Sequence, residues 1–350
     1  MASELQNLAL ARSLLDRAAH LRTSDQTLDE LFAKAKIFQV NQGKFIWSDG
    51  KSQINQANQP NQPNQPNQPN QPNQPNQPNQ PNQNKSGSSG SSGSGLIYLE
   101  PDSAQIKSAE FAASVAERFF LGLAPNGQPF FAINAPFPEG TENLVSLREV
   151  GTLLNDLEVG AVMHAVALAN WHDVHPRCAR CGEPTISILG GSTRKCPTCE
   201  AEHYPRTDSA VIVLVRDRDD RILLGRQKIW PPKRFSTFAG FLEPGESLEA
   251  CVVREVAEEA GVSLSEIKYL GSQPWPFPAS IMLSFTAVTD NPEDAEADGE
   301  EIEAIRWYTR EQIAADIASG ELLLPPGISI ARRMIELWYG QPLEGVEAWR

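Results

Sequence analysis

The chain has 350 residues, a formal charge of −14 and a hydrophobic content of 40%, which suits two or three packed domains. The acidic balance argues against a general nucleic-acid binder, which needs Lys and Arg to displace phosphate counterions, though less against a pocket for one phosphorylated end. No run approaches the roughly 18 apolar residues of a membrane-spanning helix.

The start, MASELQNLALARSLLDRAAHL, mixes acidic with apolar residues and has no short apolar core before a small-residue cleavage site. It predicts an amphipathic helix and not a signal peptide, and so a cytoplasmic protein. From Asn58 to Pro81 the sequence is an unbroken run of Asn-Gln-Pro triplets, followed by a Gly/Ser tract to Gly95. A proline at every third position excludes helix and central strand, so residues 51–95 are expected to be a disordered insert. The insert interrupts an α+β amino-terminal domain, residues 1–165. There, FFLGLAPNGQPFFAINA predicts two strands around an Asn-Gly turn. SLREVGTLLNDLEVGAVMHAVALANWHDV then predicts a helix, with apolar residues recurring at three and four.

Residues 166–206 carry two tight cysteine pairs, Cys178 with Cys181 and Cys196 with Cys199, with fourteen residues between the pairs. Each Cys-x-x-Cys turn aims two thiolates at one point, and a hairpin between them completes a tetrahedron. That is a closed structural Zn²⁺ site. Redox pairs usually come singly, and iron–sulfur clusters use other spacings. His172, His175 and His203 are alternative ligands, for which packing roles are the ordinary reading. Zinc ribbons also bind nucleic acid, and Arg194 and Lys195 are candidates for guiding RNA, with a solvated surface the alternative.

In residues 207–345, AVIVLVRD and RILLGRQ predict two strands. FSTFAGFLEPGES is expected to be a loop, turned by Gly240, Pro244 and Gly245. Ser247 caps the following helix and Gly261 ends it. Leu248, Val252 and Val256 form its apolar stripe. Glu255, Glu258 and Glu259, at i, i+3 and i+4, converge beside it. Three like charges so close are either a solvated face or the oxygen ligands of a hard divalent cation. Arg254 is placed to orient one of them.

The spacing decides between these. Gly240, five residues, Glu246, seven residues, then Arg254-Glu255-Val256-x-Glu258-Glu259-x-Gly261-Val262 resembles the full signature of the Nudix hydrolases. Downstream, SQPWPFPAS at 272–280 resembles a motif of the NADH pyrophosphatase branch of that family. The zinc ribbon, Tyr204-Pro205-Arg206, AGF at 239–241 and LPPGISIARRMIELW near the carboxyl end resemble the same branch.

The resemblance implies a Nudix α/β/α sandwich after the ribbon and hydrolysis of NADH or NAD⁺ to nicotinamide mononucleotide and AMP with Mg²⁺ or Mn²⁺. It implies removal of NAD caps from RNA 5′ ends, and a homodimer with the pocket at its interface. Carried onto this chain, Glu255, Glu258, Glu259 and Glu301 hold the catalytic metal, with Glu300 the neighbouring alternative to Glu301. Tyr204, Ile212, Phe241 and Ala331 line the dinucleotide pocket, and Ser272, Gln273, Trp275, Phe277 and Ser280 belong to the substrate loop. A pyrophosphatase for another nucleotide such as ADP-ribose is the nearest alternative, against which the loop argues. A zinc-ribbon RNA-binding module with an inactive Nudix domain is the alternative of another class, against which the intact glutamates argue. Cys251, one turn before Glu255, is read as packing.

Overall fold

The computed structural model describes residues 5, 8–50, 94–104, 106–107 and 117–343. The Asn-Gln-Pro run and the Gly/Ser tract up to Gly93 lie outside the described residues. The amino-terminal part is built on α1 (Asp25–Phe32) and strands β1 (Lys36–Asn41), β2 (Lys44–Ser48), β3 (Gly95–Leu96), β4 (Glu117–Leu123), β5 (Pro129–Asn134) and β6 (Leu144–Ser146). They pair in the order β3-β2-β1-β5-β4, with β6 also on β2 and with β1 parallel to β5. The Asn126-Gly127 turn joins β4 to β5 as expected, with Gly127 at φ 81°. Strand alternation gives the sheet two buried faces. Phe38, Val40, Phe119 and Leu121 enter one core; Ile37, Phe120, Phe131 and Ile133 enter the other, with Leu28 and Phe32 of α1.

Two expectations for this part need correction. The 147–174 stretch is not one helix but two, α2 (Leu147–Val150) and α3 (Asp156–Val174). The break arises because the Asn155 side chain accepts the amides of Leu157 and Glu158 while Glu158 accepts the Asn155 amide. This capping box starts a new helix. Helix α3 is buried on most sides and runs without interruption through position 165 toward the cysteines. Nor do the described residues of 1–21 form an α-helix. Leu5, Leu8 and Leu10 are buried from an irregular strap. Asp16 exchanges two backbone hydrogen bonds with Leu123, at 2.9 and 2.8 Å, so tertiary pairing overrides the helical pattern.

The ribbon follows as β7 (Ile186–Ile188), β8 (Thr193–Lys195) and β9 (Glu202–His203). Gly190 and Gly191, at φ 61° and 84°, make the turn between β7 and β8 that the Gly-Gly-Ser sequence predicts. A buried network ties the ribbon to the first domain. Glu117 of β4 pairs with both His172 of α3 and Arg194 of β8, and Arg194 donates to the Thr185 hydroxyl at 2.7 Å. Arg194 is therefore a buried strut and does not guide RNA; His172 packs, as read from the sequence.

The last part is an α/β/α sandwich. Its sheet runs β13 (Ser265–Trp275), β14 (Ser280–Val288), β10 (Asp208–Arg216), β11 (Ile222–Gln227), β15 (Ile302–Tyr308), with β12 (Phe238–Phe241) also on β10. Alternation along β10 separates the two faces. Val211, Val213 and Val215 pack on Cys251, Val252 and Val256 of α4 (Leu248–Ala260). Ile212 and Leu214 share the other core with Ile330, Met334 and Ile335 of α6 (Ile330–Tyr339), which follows α5 (Arg310–Ser319). Among the described residues, no helix is long and apolar enough to cross a membrane.

Candidate active site and zinc centre

Helix α4 sets the site. The Ser247 hydroxyl accepts the Ala250 amide at its start, and Gly261, at φ 71°, closes its end. The carboxylates it presents meet different surroundings. Glu259 is 4% exposed, and its Oε2 has no hydrogen-bond partner among the described residues. Burial, with Glu301, Glu255 and Asp298 around it, pushes its pKa up to about 8. Glu255 is half-buried and its pKa is also raised, by burial first, against the pull of Arg254. Glu258 is exposed.

Arg254 is the clamp of this cluster. Its guanidinium grips Glu246 with two bonds, at 2.8 and 2.9 Å, and reaches Glu255 at 2.9 Å and Glu258 at 3.1 Å. A further bond to the Phe241 carbonyl ties helix, loop and β12 together. Glu246 is drawn down to about 2, chiefly by its bonds to Arg254. Gly240 lies within β12, not in a loop as expected. A Cβ there would lie 1.8 Å from the Glu255 carboxyl carbon, so only glycine lets strand and carboxylate approach. A Gly240→Ala variant is therefore expected to keep its fold by circular dichroism while hydrolytic activity falls by roughly 10- to 100-fold, the usual penalty for displacing the support of a metal ligand. Unchanged activity would mean that the Glu255 position is immaterial.

Glu301, not Glu300, is the acidic residue near the Glu255 and Glu259 carboxylates. Gln227, at the end of β11, holds its Oε1 at 2.7 Å. Asp298 accepts the backbone amides of Glu301 and Ile302 and so shapes the turn that delivers it. Sequence reasoning missed Gln227, for which nothing local signals a role; the Asp-Gly at 298–299 was a readable turn signal. The carboxylates are more spread than the cysteines, since among the described residues only the cysteines bring three or more ligand atoms within 4.8 Å. An orphaned buried carboxylate oxygen with a raised pKa, among further carboxylates, nevertheless fits a hard divalent cation.

Beside the cluster is a cavity of about 160 Å³ whose lining brings together Glu259, Gln227, Ile212, Ala239, Trp275 and Ala331. Phe241 lines a separate depression of about 430 Å³ with Arg206 and Glu246. Tyr204 lines neither; it is 65% exposed, with its hydroxyl on Glu202. Phe277 packs edge-on to Trp275 at 4.9 Å, and Arg148 of α2 lies over both rings. Asn170 of α3 donates to the carbonyls of Pro276 and Pro278. The proline-rich loop is thus stapled to the first domain, holding Trp275 at the cavity wall. Gln273 is fully buried with its amide on the Ile328 carbonyl, away from the cavity, and Ser272 and Ser280 face a third cleft.

The four cysteine sulfurs lie within 4.8 Å of one another, with contacts of 3.5 Å between Cys178 and Cys199 and between Cys181 and Cys196. Tetrahedral Zn²⁺ with sulfur at about 2.3 Å asks for sulfurs about 3.8 Å apart. The backbone amide of Cys199 points at Cys196 and chiefly lowers its pKa to about 7, favouring the thiolate a metal needs. The Arg180 amide points at Cys178 in the same way. These residues form a structural zinc site.

The sheet, the carboxylate helix and the clamp define a Nudix hydrolase domain, and the NUDIX domain family matches residues 206–325. The NADH pyrophosphatase zinc ribbon domain matches residues 173–204. Among curated proteins, the NAD-capped RNA hydrolase NudC of Mycobacterium bovis is 42% identical over 235 residues, covering 63% of this chain and 75% of the relative. Its counterpart from Mycobacterium tuberculosis is 41% identical over the same shares. The human NAD-capped RNA hydrolase NUDT12 is 39% identical over 53% of this chain and 42% of its own length. The chain belongs to the NudC family of Nudix hydrolases.

Proposed function

We propose that the chain hydrolyses the diphosphate bond of NADH and NAD⁺ to nicotinamide mononucleotide and AMP, and removes NAD caps from RNA 5′ ends by the same cleavage. The observation that carries this reading is the unpartnered Glu259 oxygen, set near Glu255 and Glu301 in the lining of a cavity shared with Ile212, Trp275 and Ala331. Glu255, Glu258, Glu259 and Glu301 would hold Mg²⁺ or Mn²⁺, which supplies charge neutralisation and Lewis acidity at the diphosphate oxygens. Arg254 keeps the carboxylates in register before substrate arrives. The apolar wall excludes water from the rings, and the stapled loop presents Trp275 as a rigid surface. Phe241 and Tyr204, both exposed in one chain, are offered to a second copy, so the pocket is completed in a homodimer. Reduced zinc-binding thiols fit a cytoplasmic protein.

The test is product analysis of NADH, NAD⁺ and ADP-ribose incubated with the chain and Mn²⁺. The reading expects AMP and reduced nicotinamide mononucleotide from NADH, with a Glu258→Gln variant strongly impaired. Cleavage of ADP-ribose with NADH left intact would transfer the assignment to another nucleotide. Cleavage of neither would leave a zinc-ribbon binding protein.

A further inference from the structure

Between the amino-terminal strap, α3 and the proline-rich loop lies a cleft of about 530 Å³, lined by Arg12, Arg17, His164 and Arg206 among others and, among the described residues, by no Asp or Glu. In a chain of net charge −14 that lining is conspicuous. Its walls are tied to the rest of the fold. Arg12 bonds Asp156 at 2.7 Å and the Leu154 carbonyl at 3.0 Å. Ser13 sits where Gly160 leaves room, and Asp16 is paired with Leu123.

Not all of these cations have an acidic partner among the described residues. Arg12 has Asp156 and Arg206 has Asp208. The Arg17 guanidinium has no hydrogen bond or ion pair among the described residues, and adjacent Asp16 accepts the Ala18 amide instead. Arg22 donates to the Arg17 carbonyl and keeps a buried Nε without a partner. Their uncompensated charge is felt nearby. His164 is held down to about 3 by burial and then by Arg17 and Arg22, and Arg17 itself is lowered by burial and by Arg22. Local field, not net charge, governs what such a cleft attracts.

The cleft shares walls with both depressions beside the carboxylates. Trp275 lines both it and the cavity at Glu259, while Arg206 and Thr207 line both it and the depression at Phe241 and Glu246. We propose that this cleft binds a backbone phosphate of the RNA chain whose capped 5′ end lies at the carboxylates, with Arg17 as its principal cation. The inference rests on the NAD-cap reading above. A free dinucleotide ends before the cleft, whereas a capped RNA continues into it. Arg17 and the unused guanidinium N–H groups of Arg206 meet the phosphate, and the hydroxyls of Ser13 and Ser280 lie along the same wall. Arg17 thereby separates RNA from free NADH as a substrate.

The experiment compares the wild-type chain with Arg17→Gln and Arg17→Lys, on NADH and on an NAD-capped oligoribonucleotide with Mn²⁺. Arg17→Gln is expected to raise KM for the capped oligonucleotide roughly tenfold, as for loss of a hydrogen bond to a charged group, while KM for NADH changes less than about twofold. The log–log salt slope for the RNA should flatten by about 0.7, the share of one phosphate contact on a single strand, and Arg17→Lys should restore most of the effect. Equal changes on both substrates, or none on either, would overturn the proposal. So would a halved molar mass for Arg17→Gln by light scattering, which would make the cleft a subunit interface. If the wild type cleaves neither substrate, the NAD-cap reading fails separately. Fluorescence anisotropy with an uncapped single-stranded oligoribonucleotide then decides the cleft: weaker binding by Arg17→Gln supports it, and equal binding sinks it.

Discussion

A Glu259→Gln variant is expected to hydrolyse NADH on the order of a thousandfold more slowly than the wild type and, freed of Mg²⁺ and Mn²⁺ with its zinc retained, to melt at a higher temperature. Both effects come from one carboxylate. Electrostatic stabilisation by a catalytic metal is worth several kcal/mol, and each 1.4 kcal/mol is about tenfold in rate. Without the cation, the same carboxylate is a burden. Its pKa is about 8 in the fold against 4.5 for the free side chain, raised by burial and then by its acidic neighbours. The folded state therefore binds the extra proton between those values, so the metal-free protein loses stability as pH rises from about 4.5 through about 8, where the cost becomes complete. Glutamine fills the same space without the charge and removes its share of that slope, while Glu255, also raised, keeps its own. Thermal melts at pH 5 and pH 8.5 with steady-state rates check both halves. A variant less stable than wild type at pH 8.5, or nearly as active, would contradict the assignment.

The Cys196→Ser variant is expected to lose its zinc and to melt roughly 10 °C or more below wild type. Structural zinc binding is worth about 10–16 kcal/mol in isolated zinc-finger peptides, and losing even part of it moves the midpoint of a domain of this size by several degrees per few kcal/mol. Cys196 is fully buried, so serine leaves an unmatched polar group as well as a broken tetrahedron. The damage does not stay local, because Arg194, two residues away, is the strut between the ribbon and Glu117 of β4. Cys251→Ser is the control: Cys251 is also buried, but it packs under Phe241 and Arg254, so zinc content is expected to stay unchanged. Zinc analysis of both purified variants checks the pair, and equal zinc in Cys196→Ser and wild type would refute the four-thiolate site.

The carboxylate helix was legible because its meaning is local. A serine cap, an apolar stripe and three glutamates on one turn specify both the helix and its charged face within about fifteen residues. The cysteine pairs were legible for the same reason. What the sequence hid was long-range. Residues 1–21 carry a helical apolar pattern, yet the pairing of Asp16 with Leu123 joins positions more than a hundred residues apart and pulls the strap out of helix. Gly240 was visible as glycine, but only its pairing with Val211 of β10 shows that it belongs to a strand, and only the approach of Glu255 shows why it must be glycine. Gln227 and Asn170 act on Glu301 and on the proline-rich loop from other elements. Arg194 shows the converse error, since an arginine in a zinc ribbon reads as surface until Glu117 and His172 are placed around it.

In the proposed assignment, the carboxylates around Glu259 hold the divalent cation on which hydrolysis depends. The most direct measurement is a Mn²⁺ titration followed by electron paramagnetic resonance, on zinc-loaded wild type and Glu259→Gln, with NADH turnover read in the same samples. Saturable Mn²⁺ binding by the wild type that rises together with turnover is expected, with weakened binding and lost turnover in the variant. Equal Mn²⁺ binding by both proteins, or full turnover in the wild type before any Mn²⁺ or Mg²⁺ is added, would contradict it.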